Sequence, residues 1–171
     1  MSSPTVGFLG NHFEQALLEV AIAHDVLTDA ADFARTQAPV PQGVGINHAT
    51  DDPHVILRFG QFRARLHAAE GLLARATRLA NANGLPAPTS PPSAAVLVAL
   101  LEARAFANDL VAEIASQLVT WGGPLRAGPQ RRDASGQLGL HPANHWNYHH
   151  AGNYYLKGVA PAPPTPEEPR P

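Results

Sequence analysis

Cysteine is absent from the 171-residue chain, and its absence removes disulfides, thiolate nucleophiles and cysteine-ligated metals together. Charge is scarce, at 15% of residues, and aromatic residues make up only 6%. Lys and Arg number 12 against 14 acidic residues, so the net charge is −2 and the basic surplus of a nucleic-acid binder is missing. No run of about 18 apolar residues occurs, which leaves no candidate membrane span. The opening "MSSPTVGFLGNHFEQ" lacks a basic n-region and a long apolar h-region, so the expectation is no secretory leader and a cytoplasmic location. No stretch reads convincingly as a strand.

What the chain does have is apolar: 44% of its residues are hydrophobic. Its length suits one domain burying about two-thirds of the unfolded chain's surface. So few charges on so apolar a chain imply that part of its surface meets something other than water.

Three long helical patterns follow one another. In the first, from about residue 8 to 35, Phe13, Leu17, Val20, Ala21, His24, Leu27, Ala31 and Ala34 recur at helical spacing. Leu9, Leu18, Ile22 and Val26 widen that stripe, so the helix is expected to be covered on more than one side. Asp25, Asp29 and Asp32 form a short acidic row that reads as a solvated face. A loop follows, marked by Pro39, Pro41, Gly43 and Gly45. Asp52-Pro53 then offers an N-cap acceptor and a proline at the first helical position. The second helix is predicted from 53 to about 83, with a seam of Phe59, Phe62, Leu66, Ala69, Leu73, Ala76 and Ala80. Arg58, Arg63, Arg65, Arg75 and Arg78 fall on its outer faces, where ion pairing or solvation is the simpler role and anion contact the sharper one. The third helix is predicted from Ser90-Pro91 to about Trp121, along Val96, Leu100, Ala103, Ala107, Leu110, Ile114 and Trp121. The many alanines in the second and third seams permit close helix approach. The architecture expected is all-α: three long antiparallel helices plus a shorter C-terminal one. Residues 1–159 form the domain, and the proline-rich 160–171 a disordered or extended tail.

Four of the nine histidines fall within "HPANHWNYHHAGNYY", at positions 141, 145, 149 and 150. His145 and His149, four apart, have the spacing for one metal ion on a helix. The glutamate of the zinc-protease signature is missing, however, and no third ligand is evident, so no metal site is assigned. Acid–base chemistry is a second role, since imidazole titrates near neutrality and Trp146, Tyr148, Tyr154 and Tyr155 suit a planar ligand. The third is structural, with the aromatic side chains packing a short helix onto the long ones. Periodicity alone favours the third.

The same residues carry a resemblance. "LHPANHWNYHHAGNYYLKGV" resembles the C-terminal end of acyl-CoA dehydrogenase-like flavoproteins, in the monooxygenase branch typified by dibenzothiophene monooxygenase. Leu140, His141, Trp146, Tyr148, His149, Gly152, Asn153, Tyr154, Leu156 and Gly158 match that branch's pattern without gaps. The first two helices resemble the opening helices of the family's C-terminal domain, so the resemblance covers roughly residues 6 to 159. It implies an acyl-CoA dehydrogenase C-terminal-like four-helix bundle. It also implies flavin-dependent monooxygenase or related oxidoreductase activity, with FMN or FAD shared with a partner chain. His141 matches the histidine of the flavin–oxygen site and is the catalytic candidate. Arg132 is the candidate for the flavin phosphate, and Trp146, Tyr148 and His149 for the pocket floor.

Family members carry a helical domain and a β-domain before this one. Met1 falls almost where the C-terminal domain would begin, so the expectation is a half-protein or subunit needing a complementary flavoprotein chain. The family's pattern is altered at Gly136, Leu138 and Pro142, and at Val119 in the glutamine-and-glycine element. Those departures favour an alternative: a non-catalytic helical oligomerisation or scaffold module. Either way self-association is expected, since this domain forms the family's tetramer core.

Overall fold

The computed structural model describes residues 4–40, 45–82, 93–121 and 143–161. Four α-helices carry them: α1 (Pro4–Thr36), α2 (Pro53–Ala82), α3 (Ala94–Thr120) and α4 (Ala143–Lys157). A single 3₁₀ turn, Ala49–Asp51, precedes α2, and no strand occurs among the described residues. The all-α bundle expected from the sequence is the fold observed. The predicted tail lies almost wholly outside the described residues, as does the predicted start of α3 at Ser90-Pro91.

Local chemistry sets the helix ends. Asp52 caps α2 as its sequence predicts, its Oδ1 accepting from the His54 amide at 2.8 Å with Pro53 at the first helical position. Gly158 closes α4 with φ +68°, its amide donating to the Tyr154 carbonyl at 2.9 Å while Val159 reaches the Asn153 carbonyl at 3.4 Å. That conformation is cheap for glycine and strained for other residues.

Two apolar clusters fix the packing. At one end Ala16 of α1, Ala76 of α2 and Val96, Ala99 and Leu100 of α3 meet. The larger cluster joins Val20, Leu27 and Ala30 of α1, Phe62 and Leu66 of α2, and Leu110, Ile114 and Leu118 of α3. α1 and α3 therefore run parallel, with α2 antiparallel to both. α3 is the central element: every residue from Val96 to Leu101 is buried. Neither cluster includes a residue of α4. Among the described residues, no helix is long and apolar enough to cross a membrane.

The seams of α2 and α3 are those expected, with Phe62, Leu66, Ala69 and Ala76 buried on the one and Val96, Leu100, Ala103, Ala107, Leu110 and Ile114 on the other. The α1 stripe is rotated from its expected position. Ala16, Val20, Ala23, Leu27, Ala30 and Ala34 are the buried set, whereas Leu17 is 62% and Leu18 59% exposed, and Ala21 and His24 lie outside. The cause is size: alanine every seven residues lets α1 lie close on α3, and leucine at those places would hold it away. The acidic row faces solvent in part, Asp25 being largely exposed and Asp32 pairing with Arg35 at 2.9 Å.

Candidate functional site

α4 carries the histidine-rich stretch and lies antiparallel on α3. The Asn144 side-chain amide donates to the Ala105 carbonyl at 3.3 Å and also to the Asp109 carboxylate. The Tyr148 hydroxyl donates to the second Asp109 oxygen at 2.6 Å. One carboxylate thus holds two successive turns of the helix. Burial first, then the Asp109 bond and charge, raise the Tyr148 phenol above its ordinary value, against a smaller opposing pull from Arg65. Tyr148 is therefore a neutral phenol donating to Asp109 at physiological pH. Asp109→Ala should move its ionisation down, because burial remains while the bond and charge are lost. Ultraviolet absorbance titration reads this directly, and an unmoved Tyr148 would exclude Asp109 as its partner.

The outer side of α4 is aromatic and open. Trp146 is 46% exposed, and its ring meets His149 edge-on at 5.5 Å and His150 at 6.0 Å. His149 contacts the Asn153 amide at 3.3 Å. Tyr148, Tyr155 and Leu156 are exposed as well, Leu156 at 85%. Trp146, Tyr148 and His149, singled out from sequence, are therefore brought together on one short helix. His145 is exposed, and no group of three His, Cys, Asp or Glu capable of holding a metal occurs among the described residues. His141 and Arg132 lie outside the described residues.

The arginines of α2 mostly pair with acids on α3. Arg58 and Arg65 share Glu113, Arg65 also lying 5.8 Å from the centre of the Phe106 ring, and Arg75 reaches Glu102 at 3.0 Å. Tyr155, with Glu102, holds Arg75 in its charged form. A separate cleft of about 270 Å³ opens between the end of α1 and the start of α2, lined by Ala34, Arg35, Val55 and Phe59. It is smaller than the roughly 300–1,000 Å³ of ordinary small-molecule sites.

Known proteins resemble the chain in sequence over part of its length and in fold over most of it. No family model matches the chain. Over 60 residues, 35% of this chain, it is 37% identical to dibenzothiophene monooxygenase from Rhodococcus erythropolis, covering 14% of that protein. The Rhodococcus qingshengii enzyme matches equally. Part of the chain is thus similar to dibenzothiophene monooxygenase. TdsC from Paenibacillus sp. A11-2, solved with FMN and indole, superposes with a TM-score of 0.75 at 23% identity, over 95% of this chain and 42% of TdsC. Methanesulfinate monooxygenase MsuC from Pseudomonas fluorescens gives 0.72 at 19%, over 90% of this chain and 42% of MsuC. The chain thus spans less than half the length of these monooxygenases, and its helices share their acyl-CoA dehydrogenase-like fold.

Sequence reasoning missed the polar contacts that join the helices of this chain. His12 of α1 lies beside a buried Arg104–Glu19 ion pair whose side chains are 13% and 10% exposed, and His150 of α4 acts on His12 electrostatically. No local signal marks that pair, because 85 residues separate its members. Asp109, which positions Tyr148, was also invisible, being an ordinary exposed helix acid by pattern.

Proposed function

We propose that the chain is the helical C-terminal portion, or a subunit, of an acyl-CoA-dehydrogenase-like flavin monooxygenase. In this reading a partner polypeptide supplies the other domains, and the assembly works in the cytoplasm. The observation that carries it is the α4 surface. The helix bearing the matched motif leaves Trp146 and His149 exposed, and the ring of Tyr148 in part, while Asp109 fixes its seat through Asn144 and the Tyr148 hydroxyl. Such a surface fits a flavin as one wall: flat rings for a planar heterocycle, open on the side that a second polypeptide would close. The residues that would hold the flavin, FMN or FAD, are Trp146, Tyr148 and His149, with Arg132 at the phosphate. Bound reduced flavin supplies the electrons for oxygen activation. The chain's own part is to pack against the ring, exclude water, and hold a proton at His141. The FMN bound by TdsC and the 37% identity to dibenzothiophene monooxygenase support this reading.

A second reading has one observation in its favour. Leu17 and Leu18 form an exposed apolar strip on α1, away from α4's contacts with α3, as expected of a module whose remaining role is self-association. A titration of FMN and FAD into the purified chain, alone and with any co-isolating polypeptide, separates the two. Quenching of flavin fluorescence, with turnover lost in His141→Ala while assembly persists, is the expected result. No flavin binding under any condition, together with a defined dimer or tetramer by light scattering, would leave the scaffold reading.

A further inference from the structure

Tyr148 is 44% exposed, yet the proton of its hydroxyl is already committed inside the protein. The hydroxyl faces Oδ2 of Asp109 at 2.6 Å, and a carboxylate accepts without donating, so Tyr148 supplies the proton of that bond. The carboxylate itself is held in place. Nδ2 of Asn144 donates both to the Ala105 carbonyl, at 3.3 Å, and to Oδ1 of Asp109. A carbonyl only accepts, so it pins the nitrogen of Asn144 toward α3, and that nitrogen in turn engages one Asp109 oxygen and leaves the other for Tyr148. A phenol has one proton. With that proton spent on Asp109, the Tyr148 oxygen has nothing left for a further group but its lone pairs. Among the described residues it has no second partner. Arg65 of α2, which acts on Tyr148 through its charge, directs its guanidinium to Glu113 and lies over the Phe106 ring. There is also room beside the ring. Gly152 follows one turn later on the same side of α4, and a Cβ placed there would meet nothing within 4 Å.

We propose that Tyr148 is a specificity residue whose oxygen accepts a hydrogen bond from the ligand, so that α4 selects a planar aromatic presenting a ring N–H over one presenting only an acceptor. The inference rests on the reading of α4 as one wall of a flavin site. Two sources of such an N–H fit that reading: the pyrimidine edge of the flavin, or a heteroaromatic substrate beside it. Asp109 is the positioning residue, because it sets which way the Tyr148 proton points. Asp109→Asn should reverse the arrangement. The Asn144 nitrogen, pinned by Ala105, must meet the oxygen of the new amide, whose nitrogen then faces Tyr148 and donates to it. The Tyr148 proton is thereby turned outward, and the surface offers a donor where the parent chain offers an acceptor.

Tyrosine-selective NMR on the full chain tests it, since weak binding is visible and Tyr148→Phe assigns Tyr148 among the three tyrosines. Lumiflavin is compared with its N3-methyl derivative, and 2-quinolone with 1-methyl-2-quinolone. The N–H member of at least one pair should bind about threefold to tenfold more tightly, as one hydrogen bond warrants. A preference in the flavin pair assigns the contact to the cofactor, and one in the quinolone pair to a substrate. In Tyr148→Phe, followed through the α4 backbone amides, the ratio should fall to under about twofold, whereas a preference due to methyl bulk would persist. In Asp109→Asn the preference should vanish, and quinoline, whose nitrogen only accepts, should bind more tightly than it does to the parent. Equal affinities within both pairs, a preference that survives Tyr148→Phe, or no probe moving the Tyr148 ring would each overturn the inference. Lumiflavin bound equally with and without its N3 proton, with no preference among the quinolones, would sink the inference and leave the flavin reading. Absent flavin binding with a discriminating quinolone pair would do the opposite. If Asp109→Asn does not fold, the parent and Tyr148→Phe decide.

Discussion

Leu110→Asp is expected to abolish the cooperative helical fold. Leu110 is completely buried in the main core cluster, with α1, α2 and α3 residues in the same cluster. Removing a buried leucine side chain costs about 2–5 kcal/mol through lost transfer energy and the cavity left behind. Forcing a carboxyl into the same apolar space adds several more, with the charge or the proton uptake each carrying its own penalty. The sum approaches the ~5–15 kcal/mol total stability of a domain. Circular dichroism should show lost helix and no cooperative melt, while Leu110→Ala should keep the fold at about 2–5 kcal/mol lower stability. A normal melt for Leu110→Asp would mean that the α3 seam is wrongly placed.

Glu19→Ala is expected to cost about 3–5 kcal/mol, far beyond an exposed ion pair, because it strands the Arg104 guanidinium away from water beside His12. Arg104→Ala should cost a similar amount by stranding Glu19. The double variant should cost clearly less than the two singles summed, since neither charge is then left alone. Replacing both by apolar residues of like volume, Glu19→Leu with Arg104→Met, should recover most of the loss. Urea unfolding of the four chains closes the cycle. Additivity within about 0.5 kcal/mol would show the two residues uncoupled.

The fold was legible where the hydrophobic period is unbroken. Phe62, Leu66 and Ala69 on α2, and Leu100, Ala107 and Leu110 on α3, fall where the 3.6-residue repeat puts them. α1 was harder, because apolar residues occur nearly all round it and periodicity alone does not choose among them. The close α1–α3 approach selected Ala16, Ala23 and Ala30 over the larger Leu17 and Leu18. Trp146, Tyr148 and His149 were legible as a group because one short helix carries them. The Asp109 anchor and the Glu19–Arg104 pair were not, because each joins residues from different helices, and nothing local distinguishes such an acid from a solvated one. Most of the α2 arginines took the simpler role, pairing with Glu102 and Glu113.

The exclusion of α4 from both apolar clusters also bears on synthesis. A ribosome delivers α1, α2 and α3 before α4, and the contacts of the two clusters are complete once α3 has emerged. The three-helix unit can thus close its interior while the motif helix is still being translated. α4 then arrives at a finished surface and is received by Asp109 and Ala105 through directional bonds. Chain order alone thus keeps the aromatic surface of Trp146 and Tyr148 from competing with the core during its assembly.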